Sequence, residues 1–301
     1  MTHPFSRREF LAQSAVTAAA LAASSAAGAT TPRSALPKTP TDKVALGKSG
    51  VTVSLVGMGT GTVGSESSSN QVRQGVASFT RIVRHCIDQG VCFFDVADQY
   101  GSHTFLREAL KGVPRDKYVI QTKTHARDER IAKSHIERFR LELGIDYIDI
   151  LLLHCMTNKN WPAEHTGAME YLHKAKDQGL IRAHGCSNHG MDPLRTSARH
   201  AFNEVVLARI NPEGLLMDDK SPDEVASELQ EMHDRGAGVV GMKILGEGHI
   251  NTPDRVDQSL RYVLGLGTVN AFVVGFESTD QVDDLLKRTA AAIAFVGEKK
   301  G

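Results

Sequence analysis

Eight short runs of Val, Ile and Leu, each followed by a helical pattern, predict an α/β fold of the (β/α)8 TIM-barrel class over residues 43–301. Two further observations support that class. No shift in composition marks a second domain along this stretch, and the runs are apolar at successive positions, as strands covered on both faces are. In chain order the expected strands are 53–58, 91–96, 118–123, 148–154, 181–186, 205–210, 239–244 and 271–275. Helical patterns lie between them, for example at 131–143, 164–178, 222–235 and 280–294, several opening on Asp, Ser or Pro in the first turn. The segment 46–53, with Gly47 and Gly50, predicts a small hairpin that closes the bottom of the barrel. A doubly wound nucleotide fold is set aside, because Gly57-Met58-Gly59-Thr60-Gly61 lacks the GxGxxG spacing and an immediate helix.

The ends of the chain read differently. Residues 1–29 carry Arg7 and Arg8, then an uncharged Ala-rich stretch, then Ala27-Gly28-Ala29, which is the layout of a signal peptide. The string Ser6-Arg7-Arg8-Glu9-Phe10-Leu11 resembles the twin-arginine export motif, so the twin-arginine export machinery is an expected partner and the mature chain is expected to be periplasmic or otherwise exported. A Pro/Thr/Ser-rich linker at 30–42 leads into the barrel. No later stretch approaches the roughly 20 apolar residues of a spanning helix, so no stable membrane insertion of the mature chain is expected.

Composition narrows the function classes. Hydrophobic residues make up 41% of the 301, enough for a full core, and 35 Lys plus Arg balance 35 Asp plus Glu with no basic stripe. The electrostatic footprint of a nucleic-acid binder is therefore missing, and a small-molecule partner is expected. Cys86, Cys92, Cys155 and Cys186 show neither zinc-ribbon nor disulfide-scaffold spacing and read as buried thiols. Cys155 and Cys186 end adjacent strands, which leaves a bridge between them as the alternative.

In this architecture the reactive groups gather at the carboxyl ends of the strands. Those ends carry Asp95 with Tyr100 in the following loop, then Lys123, His154, Ser187-Asn188 and Lys243. Asp95, Lys123 and His154 lie on three successive strands, so they and Tyr100 can converge. The combination suits proton donation to a carbonyl oxygen. A tyrosine with an ordinary pKa of about 10 is a poor donor at neutral pH, and an ammonium about 4 Å away would favour its phenolate by about 4 kcal/mol at an effective dielectric near 20. Asp95 would keep the lysine charged, and His154 could orient the reacting oxygen. A metal-assisted hydrolase using His125, His154, His165 and Asp95 finds no support in ligand spacing.

Several ordered blocks resemble the aldo-keto reductase superfamily. Phe94-Asp95-Val96-Ala97-Asp98-Gln99-Tyr100-Gly101 resembles its FDTAxxYG block, and Asp146-Tyr147-Ile148-Asp149 with Leu152-Leu153-His154 resembles LGxDYxDLxxxH. Gly179-Leu180-Ile181-Arg182 with Gly185-Cys186-Ser187-Asn188 resembles GKIRxxGxSN. The resemblance implies NADP or NAD as the cofactor and hydride transfer from its reduced form, NADPH or NADH, to an aldehyde or ketone, with a tetrad of Asp95, Tyr100, Lys123 and His154. It also implies a cofactor site drawn from Gly59, Thr60, Ser187, Asn188, Met242, Lys243, Leu245, Gly246, Gly275, Gln281 and Asp284. Within that site Ser187 and Asn188 would hold the nicotinamide carboxamide, Met242 stands where an aromatic ring usually stacks, and Lys243 could meet the pyrophosphate or pair with Glu247. The block 275–284 lacks the Lys and Arg that often grip a 2′-phosphate, which leaves the choice between NAD and NADP open. Thr104 replaces a frequent Glu, and Trp161 is a candidate wall for an apolar substrate pocket. The alternative to a small-molecule carbonyl reductase is a catalytically quiet exported cofactor-binding or partner protein on the same fold.

Overall fold

The computed structural model describes residues 36–217 and 221–299, so the expected signal segment 1–29 lies outside the described residues. A two-stranded antiparallel hairpin comes first, β1 (Lys43–Ala45) and β2 (Thr52–Ser54). Eight parallel strands then close into a barrel: β3 (Val56–Gly59), β4 (Phe93–Asp95), β5 (Val119–Thr124), β6 (Ile148–Met156), β7 (Ile181–Asn188), β8 (Val205–Arg209), β9 (Gly238–Met242) and β10 (Ala271–Gly275). Each strand pairs with its successor, and β10 closes on β3 with Phe272 opposite Val56 and Gly275 opposite Gly59. All eight expected barrel strands are present. The expected strand at 53–58 is divided, because Thr52–Ser54 turns back to pair with β1 and the barrel strand starts only at Val56.

Helices form the outer layer, and local sequence explains their limits. Asp128, Ser221 and Ser278 accept hydrogen bonds from the amides of Ile131, Glu224 and Gln281, capping the helices Glu129–Leu143, Pro222–Asp234 and Thr279–Glu298. The helix expected over 164–178 is two helices, Trp161–Glu164 and Thr166–Asp177, meeting at His165. His165 leaves helical geometry there, and its Nδ1 donates to the Trp161 carbonyl at 2.9 Å.

Two apolar layers result. Phe93, Val119, Ile150, Leu152, Val205 and Val240 fill the barrel interior, while the opposite faces of the same strands pack on the helices. Leu46, Val51 and Val53 of the hairpin join the interior layer from below. Gly47 makes that plug possible: its φ is +52°, and a Cβ would lie 2.3 Å from the Gly236 carbonyl oxygen. The barrel is thus a packed core with its free polar groups at the top, where the strands end. Among the described residues no helix is long and apolar enough to cross a membrane. No disulfide bridges Cys155 and Cys186, and Cys186 is turned into the wall against Ser197 Oγ at 3.1 Å.

Candidate active site

The ends of β4, β5 and β6 bring Asp95, Lys123 and His154 together with Tyr100, which sits on the short 3-10 turn Asp98–Tyr100. Lys123 Nζ donates to Asp95 Oδ1 at 2.7 Å and to the Val96 carbonyl at 2.9 Å, and its side chain is only 1% exposed. Gln121 Nε2 donates to the same Asp95 oxygen at 2.7 Å. The ammonium lies 4.9 Å from the centroid of the Tyr100 ring, against its face. Tyr100 Oη and His154 Nε2 are 3.4 Å apart, a long contact across which a reacting oxygen could be shared.

His154 owes its position to a bulge. Between Leu153 and Met156, β6 advances three residues while its partner β7 advances two, from Cys186 to Asn188. The extra residue is absorbed by Cys155, whose φ of +64° is rare for a residue with a Cβ. Ser187 Oγ accepts the Cys155 amide at 2.8 Å and so holds the bulge in place. The His154 ring stacks on His125 at 4.5 Å between centroids, and its Nδ1 is buried without a hydrogen-bond partner.

Burial dominates the electrostatics. It pushes the Tyr100 hydroxyl well above its ordinary pKa, and the Asp95 charge adds to the effect. Burial lowers the Lys123 pKa, with Asp95 opposing. His154 is held well below the ordinary histidine range, first by burial and then by the Lys123 charge, so its ring is neutral at pH 7. The expectation that Lys123 draws the tyrosine downward is therefore corrected. The ammonium is directed at Asp95 and the Val96 carbonyl, so its field is largely cancelled where it meets Tyr100. Tyr100 keeps its proton.

A cleft of about 540 Å³ opens from this cluster across the ends of β3, β9 and β10 to the helix Thr279–Glu298. Of the expected cofactor residues, Gly59, Met242, Lys243, Leu245, Gly275, Gln281 and Asp284 line it. Lys243 Nζ pairs with Glu247 Oε1 at 2.6 Å, and Glu247 also accepts the Val63 amide at 2.8 Å, linking the loops after β3 and β9. Burial works against the Glu247 carboxylate, but Lys243 and the Val63 amide outweigh it and hold its pKa below the usual range. A second, smaller cavity of about 140 Å³ lies beyond His154, walled by His125, Arg127, Trp161 and His165.

The profile of the aldo/keto reductase family matches residues 55–258. The chain belongs to that family. A Glycine max protein named probable aldo-keto reductase 1 is 28% identical over 220 residues, covering 68% of this chain and 60% of its own. The NADH-specific methylglyoxal reductase of Escherichia coli is 26% identical over 191 residues, 56% of this chain and 58% of its own. The chain thus spans about three-fifths of the length of these relatives. Among solved structures, an aldo-keto reductase of Bacillus halodurans in its holo form superposes with a TM-score of 0.69 at 20% identity, over 85% of this chain and 96% of that one. An aldo/keto reductase of Klebsiella pneumoniae in complex with NADP and acetate gives 0.62 at 20%, over 84% and 90%. At that identity the likeness is one of fold.

Four expected cofactor residues of this aldo/keto reductase do not line the cleft. Thr60 is fully buried and bonds the Asp95 carbonyl and Ser102 Oγ, tying the end of β3 to β4. Ser187 braces the bulge at Cys155, and Asn188 Oδ1 accepts from Ser197 Oγ at 2.8 Å. Gly246 is buried in the turn after β9, its amide donating to the Lys243 carbonyl. They shape the wall from behind.

The structure also adds Gln121, which the strand pattern had not singled out, and gives His125 a place against His154 in place of the metal-ligand role weighed above. Gln121 precedes Lys123 by two and so faces the same side of β5, and His125 follows Lys123 by two; that period was the available signal. Gly61 has a different role, since a Cβ there would lie 2.4 Å from the Tyr100 ring. Only a residue without a side chain lets that ring reach His154. Among the described residues no group of three His, Cys, Asp or Glu is placed to hold a metal ion.

Proposed function

We propose that this chain reduces an aldehyde or ketone to the alcohol with NADH or NADPH, Tyr100 delivering the proton. The observation that carries the reading is the pairing of Tyr100 Oη with neutral His154 Nε2 at the end of a cleft that Lys243 and Asp284 also line. The cleft's residues fit such a dinucleotide: a cation for the pyrophosphate in Lys243, and carboxylates and amides for the ribose hydroxyls and adenine at its far end. When bound, the nicotinamide supplies a hydride to the carbonyl carbon. The carbonyl oxygen then gathers negative charge and becomes a far stronger base than a phenolate. Tyr100, kept protonated by burial, gives that oxygen its proton. His154 donates a hydrogen bond to the same oxygen and orients it. The Lys123–Asp95 pair, packed against the ring, fixes Tyr100 in place and bears on the charge left on its oxygen.

The smaller cavity beyond His154 is where the rest of the substrate lies. Its lining by His125, Arg127, His154, Asn158 and His165 suits a short polar substituent better than an apolar one. The reading is tested by anaerobic loss of nicotinamide absorbance with a panel of short aldehydes, ketones and quinones. Turnover of some member is expected. Tight cofactor binding with no turnover of any would favour a quiet cofactor-binding protein, and no binding of either nucleotide would overturn both.

Export forms part of the same proposal. Arg7-Arg8 ahead of an uncharged Ala-rich stretch supports a twin-arginine route, which carries folded proteins and would preserve a bound nucleotide. Replacing both arginines by lysine should retain the protein in the cytoplasm; unchanged export would defeat the idea.

A further inference from the structure

We propose that the cleft selects NADH over NADPH, through the carboxylates of Glu277 and Asp284 at its end remote from Tyr100. The proposal rests on the reductase reading above. Hydride must be delivered beside Tyr100 and His154, so the nicotinamide occupies that end and the adenosine ribose lies at the other, by the helix Thr279–Glu298. The two cofactors differ only there. One presents a 2′-hydroxyl, a donor and acceptor; the other presents a 2′-phosphate carrying nearly two negative charges at pH 7.

The groups facing that position are acidic or neutral. Glu277 Oε1 accepts from Asn70 Nδ2 at 2.7 Å, which fixes the carboxylate and leaves its other oxygen for a ribose hydroxyl. Asp284 lines the same end. Its neighbour Arg288 looks like a phosphate ligand but is already committed, with Nε on Asp284 Oδ2 at 2.7 Å and Nη1 on Asp257 Oδ1 at 2.8 Å. One guanidinium between two carboxylates leaves the end net negative. Lys243 is the one Lys or Arg lining the cleft among the described residues, and it sits beyond β9, closed on Glu247. Arg73 bonds Asn70 Oδ1 and Ser68 Oγ, while Lys287 is exposed on the helix Thr279–Glu298; neither lines the cleft. Asp280 and Asp283 add negative charge on the same helix, Asp283 paired with His85 at 2.6 Å.

A dianion brought to this end meets like charges, whereas a hydroxyl finds an acceptor. Both carboxylates are solvent-accessible, so the discrimination is a screened one, on the order of ten- to a hundred-fold in dissociation constant at low salt and shrinking as salt is raised. Titration of the mature protein by calorimetry with NADH, NADPH, 5′-AMP and adenosine 2′,5′-bisphosphate, at low and high salt, tests it without any turnover. NADH and 5′-AMP should bind the more tightly by that factor. Glu277→Gln should narrow the gap and Glu277→Lys should close or reverse it, NADH losing its ribose acceptor while NADPH gains a cation for its 2′-phosphate. Arg73→Ala should leave the gap as it is. Equal or tighter binding of NADPH to the parent would overturn the selectivity while leaving the reductase reading intact; binding of neither nucleotide would overturn both.

Discussion

Two aspartates are buried in this barrel against cations, one at each end, and they do different work. At the bottom, Asp149 is wholly enclosed and every direction around its carboxylate is answered. Arg115 Nη2 donates at 2.6 Å, Arg182 Nη1 at 2.8 Å and the Ile120 amide at 2.9 Å. Arg182 also reaches the Gly50 carbonyl at 3.1 Å, so the cluster ties the hairpin plug to the starts of β5, β6 and β7. At the top, Asp95 is buried but borders the cleft, and its carboxylate is answered by Lys123 and the Gln121 side-chain amide, beside a tyrosine and a histidine whose polar atoms stay incompletely partnered. A saturated ion cluster has nothing left to offer a ligand. The unsaturated one keeps donors in reserve, and a cleft opens on it. On the reading proposed above, the same chemistry serves stability where it is complete and reactivity where it is not.

The comparison breaks most sharply at Tyr100. Tyr100→Phe should lower kcat by about 10²- to 10⁴-fold, the usual worth of a general acid, while the melting temperature and the NADH dissociation constant stay near the parent's. A variant that reduces any accepted substrate at close to parental rate would remove Tyr100 from its role.

Asp149→Ala should show the converse. It leaves two guanidiniums and an amide without their acceptor, so the unfolding free energy should fall by about 3 kcal/mol in urea titration, with kcat of the folded fraction within about two-fold. A large loss of turnover at unchanged stability would mean that the bottom of the barrel is not merely structural.

Ser187→Ala probes the bulge that aims His154. Removing the acceptor of the part-buried Cys155 amide should cost about 1 kcal/mol of stability, and because His154 is displaced, KM should rise along with a fall in kcat. Ser187→Thr, which keeps the oxygen, should recover most of the KM change. If KM holds while stability drops, Ser187 supports the strand without positioning the histidine.

The last effect, spread over the histidines near the site, is that of pH. His154 lies well below the ordinary range, and burial with the charges of Arg209, Lys243, Lys123 and His125 takes His189 down to about 3. With folded pKa values depressed from about 6.5, the unfolded chain binds protons that the folded one refuses. The His189 contribution is complete above pH 6.5 and is lost as pH falls from there toward 3, on the order of 1–2 kcal/mol by pH 5, and His154 acts in the same direction. The urea midpoint should therefore drop between pH 7 and 5, and His189→Asn should flatten the drop. A midpoint independent of pH over that interval would mean that these rings are not held neutral by the fold.

Much of this was legible in the residues. The run of strands from Val56 to Gly275 announces itself because strands buried on both faces must be continuously apolar, and a (β/α)8 barrel places its polar strand ends on one rim. Asp95, Lys123 and His154 could therefore be brought together without coordinates, and Tyr100 with them. What one dimension could not carry is the direction of a side chain at the end of a strand. Ser187 and Asn188 end β7 in a recognisable motif, yet their polar atoms turn to Cys155 and Ser197, because a bulge in β6 leaves an amide that needs an acceptor there. Nor could it carry the sign of a pKa shift. Lys123 beside Tyr100 suggests a lowered tyrosine, but the ammonium faces Asp95 and burial prevails. The sequence by itself determined the barrel and the convergence of Asp95, Tyr100, Lys123 and His154 at one rim of it. The tertiary structure alone decided the protonation, the cancelled charges and the acidic end of the cleft, since each depends on distances between residues that are far apart along the chain.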